Sequence, residues 1–200
     1  MEANASHQDE VIARPTAHYA RADITPAQFE QFVVELLRSM HPAGVDLQVA
    51  LHETVHGMDG DYDMDTTVRY ELLGMDFLVL VEAKHHTHPI KRELVQVLHH
   101  KLTSVGAHKA LMVSTAPYQK GALVFAQAHG IALMTVTEGR YTFETKSTDT
   151  APVMTRQEAR DRFGVPSFVA HLYTPGQDAG STRVQLVTPD DPAPLHEWLQ

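Results

Sequence analysis

The feature that most constrains the fold is an unbroken apolar run from Phe77 to Val81, followed at once by Glu82-Ala83-Lys84. A continuous apolar run of this kind is typical of a central strand that is covered on both faces. Because side chains alternate along a strand, Glu82 and Lys84 point to one side and Ala83 to the other. The run therefore predicts a buried strand that presents two opposite charges together at its end.

A set of aspartates precedes this strand, at the start of another predicted strand. By the same alternation Asp63 and Asp65 lie on one face of that strand. If the two strands pair as a hairpin, these carboxylates come to lie beside Glu82 and Lys84. Two carboxylates and an ammonium group can hold a divalent metal ion and activate a water molecule. A solvated strand end with a weak surface ion pair is the structural alternative.

The ordered segments from Thr25 to Gly139 resemble the PD-(D/E)xK nuclease superfamily, and within it the Mrr-like restriction endonucleases. The resemblance depends on Gly57-Met58-Asp59-Gly60, Met64-Asp65 and Glu82-Ala83-Lys84, and it continues through Gln96, residues 109–114, Gly121-Ala122 and Gly130-Ile131. It implies an α/β fold with a restriction-endonuclease-like core, in which a mixed central β-sheet is flanked by helices on both faces. It also implies a metal-dependent endonuclease that hydrolyses the phosphodiester bonds of DNA.

The predicted metal is Mg²⁺ or Mn²⁺, because hard cations prefer oxygen ligands. Glu82, the backbone carbonyl of Ala83 and one upstream aspartate would supply these oxygens. The resemblance favours Asp65 as that aspartate, with Asp63 as the alternative. Lys84 would lie beside the activated water and stabilise negative charge on the phosphate.

Two further catalytic candidates come from the resemblance alone. Glu30 lies on the first predicted helix, where family members often place a glutamate near the metal. Gln96 lies on the helix after the Glu-Ala-Lys motif, where a glutamine orients the lysine or the substrate. Solvated helix surface is the structural alternative for Glu30.

A local group of basic residues follows the motif. We expect His85, His86, Lys91 and Arg92 to form a positive rim that contacts DNA phosphates, the alternative being an ordinary polar loop. A zinc site built from the histidines is disfavoured, because neighbours on a strand point in opposite directions and zinc needs converging ligands.

The composition limits the compartment and the partners. The chain of 200 residues has no cysteine, which favours a cytoplasmic location, and it has no apolar segment long enough for a membrane span. A net charge of −9 argues against a general polyanion binder. It also motivates an alternative function, a binding module on the same fold without turnover. A homodimer is possible, since two sites related by a two-fold axis would suit two antiparallel DNA strands.

Three regions are predicted along the chain. Residues 1–23 form a lead-in, residues 24–146 the catalytic domain, and residues 147–200 a turn-rich C-terminal extension whose Trp198 packs back on the domain. Within the domain, Thr25 and Gln28 predict a capping box that starts the first helix. A short strand is possible at Tyr141–Glu144, and a short helix is possible from Thr155.

Overall fold

A computed structural model of the chain describes residues 24–39, 45–138, 168–178 and 181–200. These residues form seven strands and four helices. The strands are β1 (Gln48–His56), β2 (Asp61–Leu72), β3 (Met75–Lys84), β4 (Lys109–Ser114), β5 (Ala132–Glu138), β6 (Phe168–Pro175) and β7 (Thr182–Val187). The helices are α1 (Pro26–Ser39), α2 (Arg92–Val105), α3 (Lys120–Ala128) and, near the end of the chain, α4 (Ala193–Leu199).

The seven strands form one mixed sheet in which the spatial order follows the chain order from β1 to β7. The three strands β3, β4 and β5 are parallel to one another, whereas every other neighbouring pair is antiparallel. Parallel neighbours need a crossover connection, and α2 and α3 supply the two crossovers. The predicted α/β fold with a mixed central sheet is confirmed.

The apolar strand β3 separates two cores, one on each face of the sheet. Val79 and Val81 belong to the core that α1 and α4 cover, whereas Leu80 belongs to the core under α2 and α3. All three residues are fully buried. The prediction of a central strand covered on both faces, and of helices on both faces of the sheet, is therefore confirmed.

The first helix begins as its sequence predicts. The Thr25 hydroxyl accepts a hydrogen bond of 3.2 Å from the Gln28 backbone N–H, and the Gln28 side chain accepts one of 2.8 Å from the Thr25 N–H. This reciprocal capping box satisfies two N–H groups that the helix leaves free. Phe29, Val33 and Leu37 then face the core at helical spacing.

The C-terminal part of the chain extends the same sheet. Strands β6 and β7 pair antiparallel beyond β5, which the proline- and glycine-rich composition of residues 147–200 did not indicate. The helix α4 is tied down by hydrogen bonds from the Tyr70 hydroxyl to the Leu199 carbonyl, at 2.6 Å, and from the Lys109 ammonium to the Trp198 carbonyl. Trp198 packs against the core, as predicted.

Several predicted features lie outside the described residues. These are the lead-in at 1–23, the domain boundary between residues 146 and 147, the possible strand at Tyr141–Glu144 and the possible helix from Thr155. In the part of the chain that the structure describes, no helix is both long and apolar enough to cross a membrane.

Candidate active site at the end of strand β3

The site begins where the strand pairing around β2 becomes irregular. The β1–β2 pairing runs through Leu51 with Thr66 and resumes at Glu53 with Met64, so the pair between His52 and Asp65 is missing. His52 has a φ of 53°, a left-handed conformation that is uncommon for residues other than glycine. On the other side of β2, the pairing with β3 extends only as far as Thr66. Asp65 is therefore free of both ladders.

This irregularity also changes which face the side chains of β2 point to. Met64 and Val68 are four residues apart, and strict alternation would put them on one face. Met64 instead lies in the core under α2 and α3, whereas Val68 lies in the core under α1. The alternation is broken near Asp65, so the predicted common face of Asp63 and Asp65 does not hold.

Asp65 is anchored on β3 by its side chain. Its Oδ2 accepts a hydrogen bond of 2.8 Å from the Ala83 N–H and lies 3.8 Å from the Lys84 Nζ. Burial raises the pKa of the Asp65 carboxyl above 3.8, and the negative charges of Glu82 and Glu30 raise this pKa further, against the lowering effects of Ala83 and Lys84. Two negative charges thus converge at the end of β3.

Glu82 is buried between two ammonium groups. Its Oε1 accepts a hydrogen bond of 2.6 Å from Lys84, and its Oε2 accepts one of 3.1 Å from Lys101 on α2. Its side chain is 11% exposed, which makes it the most buried carboxylate of the site. Lys84 contacts both Glu82 and Asp65, so the structure brings together the three residues predicted as the centre of the site.

Lys101 is the site residue that the sequence reasoning missed. A signal for it existed in the periodicity of α2, because Leu94, Leu98 and Lys101 recur at helical spacing on the inward side of this helix. A lysine in that position needs a buried acidic partner. Glu82 is that partner.

Asp63, the alternative metal ligand, faces elsewhere. Its carboxylate accepts a hydrogen bond of 2.7 Å from the Thr54 hydroxyl on β1. Only its backbone carbonyl reaches the site, where it accepts a hydrogen bond of 3.3 Å from Lys101. The geometry thus favours Asp65 over Asp63 as a ligand.

Glu30 lies at the margin of the site. Its carboxylate lies 3.0 Å from the Nε2 of His52, the left-handed residue opposite Asp65. Its charge contributes to the raised pKa of Asp65, which places it near that carboxylate. The structure therefore brings Glu30 towards the predicted site.

Gln96 lies on the outer surface of α2. Its side chain is exposed, and a step of five residues turns it about 140° around the helix from Lys101. None of the hydrogen bonds seen within the described residues joins Gln96 to Glu82 or Lys84. The structure does not bring Gln96 into the site, and its proposed catalytic role remains a prediction.

The predicted basic rim follows β3 directly. The backbone of His86 is held at Thr115 by two hydrogen bonds of 3.0 and 2.9 Å, which fixes the path of the chain after Lys84. His85 packs its ring 6.0 Å from that of Phe29. Lys91 and Arg92 are exposed at the start of α2 (Arg92 over the Phe125 ring at 5.2 Å). Contact with phosphates at this rim remains a prediction.

The ligand atoms available at the site are oxygens, the type that a hard divalent cation prefers. Asp65 and Glu82 supply carboxylate oxygens, and Ala83 has a backbone carbonyl between Glu82 and Lys84. Burial and then the charge of Glu82 raise the pKa of Asp65, and a cation would offset the repulsion between the two carboxylates. Over the described ranges, no group of three or more His, Cys, Asp or Glu side chains is placed to hold a metal ion. A metal would thus depend on these two carboxylates, the backbone and water.

Comparison with solved structures finds similar chains at low identity. One is a crystal structure of a protein of unknown function, AF1548, with 18% identity, a TM-score of 0.45, and 55% of this chain and 57% of that chain covered. The other is the DNA modification-dependent restriction endonuclease AspBHI, with 16% identity, a TM-score of 0.35, and 52% and 26% covered. No curated protein matches the chain.

Comparison with protein families finds a match over most of the described core. The restriction endonuclease family Mrr_cat matches residues 21–138, which include α1, strands β1 to β5 and every residue of the site described above. This confirms the predicted resemblance. The chain belongs to the Mrr_cat family of restriction endonuclease domains.

Proposed function

We propose that the chain is a divalent-metal-dependent endonuclease that hydrolyses phosphodiester bonds of DNA, with Mg²⁺ or Mn²⁺ as cofactor. The family assignment supports the class of activity. The observation on which the proposal rests is the position of the Lys84 ammonium, 2.6 Å from Glu82 and 3.8 Å from Asp65. A lysine beside two carboxylates at the end of a central strand combines a cation site with a hydrogen-bond donor for negative charge.

The residues of the site would have separate roles in catalysis. Asp65, Glu82 and the Ala83 carbonyl would hold the metal, which supplies acidity to a water molecule and offsets phosphate charge. Lys84 would donate hydrogen bonds to the negative charge that develops on the phosphate. Its preformed contacts with both carboxylates fix its position before substrate binds.

The wider arrangement follows from the same proposal. The DNA backbone would run along the rim of His85, His86, Lys91 and Arg92, which offers local positive charge on an acidic protein. We propose residues 24–146 as the catalytic domain. A homodimer would let two sites cut opposite strands, and the lack of cysteine suits the cytoplasm.

A plasmid cleavage assay tests the proposal. Unmethylated and methylated plasmids are incubated with Mn²⁺ and either the wild-type protein, Lys84→Ala or Arg183→Met. Arg183 is an exposed cation on the edge strand β7, four strands from β3, and its variant serves as the matched control. We expect cleavage by wild type and control, and a loss of about 100-fold or more in Lys84→Ala.

The proposed active site is tested by comparing cleavage by the wild-type protein with cleavage by Lys84→Ala. Equal cleavage by wild type and Lys84→Ala, with both folded by circular dichroism, would contradict the proposed active site. If the wild-type protein cleaves neither plasmid, and does not cleave branched DNA under the same conditions, nuclease activity would be contradicted.

A second candidate function is a binding module without turnover. The structural observation that favours it is that both oxygens of Glu82 contact lysines, at 2.6 and 3.1 Å. The variants Asp65→Ala and Glu82→Ala distinguish the two functions, because both would lose cleavage if the protein is a nuclease. A binding module would retain its DNA affinity in a gel-shift assay with both variants and would cut nothing.

A further inference from the structure

Lys101 spans the gap that opens between β2 and β3. The last β2–β3 pair is Thr66 with Val81, and beyond it the two strands no longer form a ladder. The Lys101 Nζ lies there, 3.3 Å from the Asp63 carbonyl oxygen on β2 and 3.1 Å from the Glu82 Oε2 on β3. One ammonium group thus links the helix α2 to both separated strands.

The two oxygens of Glu82 have different surroundings. Oε1 contacts Lys84, which also reaches Asp65, so Oε1 lies on the side of the second carboxylate. Oε2 contacts Lys101, whose other contact is a backbone carbonyl. Because Lys101 restrains Oε2, the carboxylate presents Oε1 towards Asp65.

Lys101 also changes the charge that an incoming cation meets. Its side chain is 14% exposed, so solvent screens its charge poorly. A divalent ion bound by Glu82 would lie a few ångströms from this ammonium group and would be repelled by it. Lys101 therefore has two effects, which should be separable by experiment.

We propose that Lys101 is a positioning residue of the metal site, which orients Glu82 for the reaction and weakens divalent-ion binding. The inference rests on the proposed function, because it assumes that Glu82 is a metal ligand. The proposal predicts that replacement of Lys101 changes the affinity for the divalent ion and the rate of DNA cleavage in opposite directions. Removal of the Lys101 charge strengthens ion binding and slows cleavage.

The test measures Mn²⁺ binding by calorimetry and plasmid cleavage in parallel. The variants are Lys101→Met, which removes the charge and the hydrogen bonds, and Lys101→Gln, which removes the charge but keeps a donor. Lys101→Arg retains the charge, Arg183→Met removes a distant charge, and Glu82→Gln reports whether binding uses Glu82. Thermal unfolding establishes which variants fold. If Lys101→Met does not fold, the comparison relies on Lys101→Gln.

We expect Lys101→Met and Lys101→Gln to bind Mn²⁺ about tenfold more tightly than wild type, because a unit charge near a divalent ion is removed. We expect both to cleave at least about tenfold more slowly, and Lys101→Arg to remain close to wild type in affinity. If Lys101 were purely structural, its replacement would not strengthen Mn²⁺ binding.

Two other results would overturn the inference in distinguishable ways. If Glu82→Gln weakens Mn²⁺ binding but the folded Lys101 variants bind like wild type or more weakly, Lys101 does not act as proposed. If Glu82→Gln leaves the binding unchanged, the proposed function itself fails, and the inference about Lys101 fails with it.

Discussion

The Asp65 carboxylate accepts a hydrogen bond of 2.8 Å from the backbone N–H of Ala83. This contact lies just beyond Thr66 and Val81, the last backbone pair between β2 and β3 at this end. A side chain thus takes the place of a backbone acceptor, which satisfies a buried N–H that the interrupted ladder would leave unpaired. The same bond fixes Asp65 beside Lys84, so the site is assembled at the break in the sheet.

Asp65→Asn should stabilise the protein at neutral pH. The pKa of Asp65 is raised above 3.8, chiefly by burial and then by Glu82, so the charged form is disfavoured in the folded state. At pH 7 the variant loses this penalty and should melt a few degrees higher, as followed by circular dichroism. The difference should vanish below pH 3.8, where Asp65 is protonated in both states.

Asp76→Asn is the matched control for this prediction, because Asp76 is exposed on the same strand as Glu82. Its melting temperature should equal that of wild type at both pH values. A lower melting temperature of Asp65→Asn at pH 7 would show that the carboxylate stabilises the fold.

His52→Val should destabilise the protein more than His52→Asn. Both changes remove the imidazole whose Nε2 lies 3.0 Å from Glu30, so the loss of this contact does not distinguish the two variants. The φ of 53° at His52 suits asparagine and is strained for a β-branched residue. We expect His52→Val to lower the free energy of unfolding in urea by about 1–2 kcal/mol relative to His52→Asn. Equal values would mean that the left-handed conformation is not retained.

Tyr70→Phe should loosen the C-terminal helix. The Tyr70 hydroxyl is buried and donates a hydrogen bond of 2.6 Å to the Leu199 carbonyl, 129 residues away. Its loss should cost about 1 kcal/mol, or about 2–4 °C in melting temperature for a chain of this size. Proteolysis near α4 should become faster. An unchanged melting temperature and unchanged proteolysis would contradict the tether.

Ser104→Ala should raise the pKa of Asp59. Hydrogen bonds from the Ser104 hydroxyl and then from Tyr62 lower the pKa of this carboxyl from 3.8 to about 2. These bonds favour the charged form, so they stabilise the fold above pH 3.8 and lose that effect as the pH falls to about 2. A carbon-detected NMR titration should find a larger rise in Ser104→Ala than in Tyr62→Phe. A smaller rise in Ser104→Ala would reverse the assigned order of the two bonds.

The regular part of the fold was predictable from local patterns. The apolar run from Phe77 to Val81 predicted a strand buried on both faces, and the structure has this strand. The Thr25–Gln28 capping box predicted the start of α1. In each of these cases neighbouring residues along the chain determine the structure.

Features that depend on distant contacts were not predictable in this way. Strands β6 and β7 lie in a segment whose prolines and glycines indicated turns, and they form by pairing with β5 and with each other. The left-handed His52 lies opposite the point where β2 departs from the alternation that its sequence predicts. The periodicity of α2 places Lys101 on the inward side of this helix, but its role in the site depends on Glu82, 19 residues away in the sequence.

Calorimetric titration of Mn²⁺ into wild type, Asp65→Asn, Glu82→Gln and the double variant tests the central claim, that Asp65 and Glu82 share one metal ion. We predict one ion per chain for wild type, a loss of affinity of about tenfold or more in each single variant, and little further loss in the double variant. Wild-type affinity in both single variants, with the fold intact by circular dichroism, would contradict the claim.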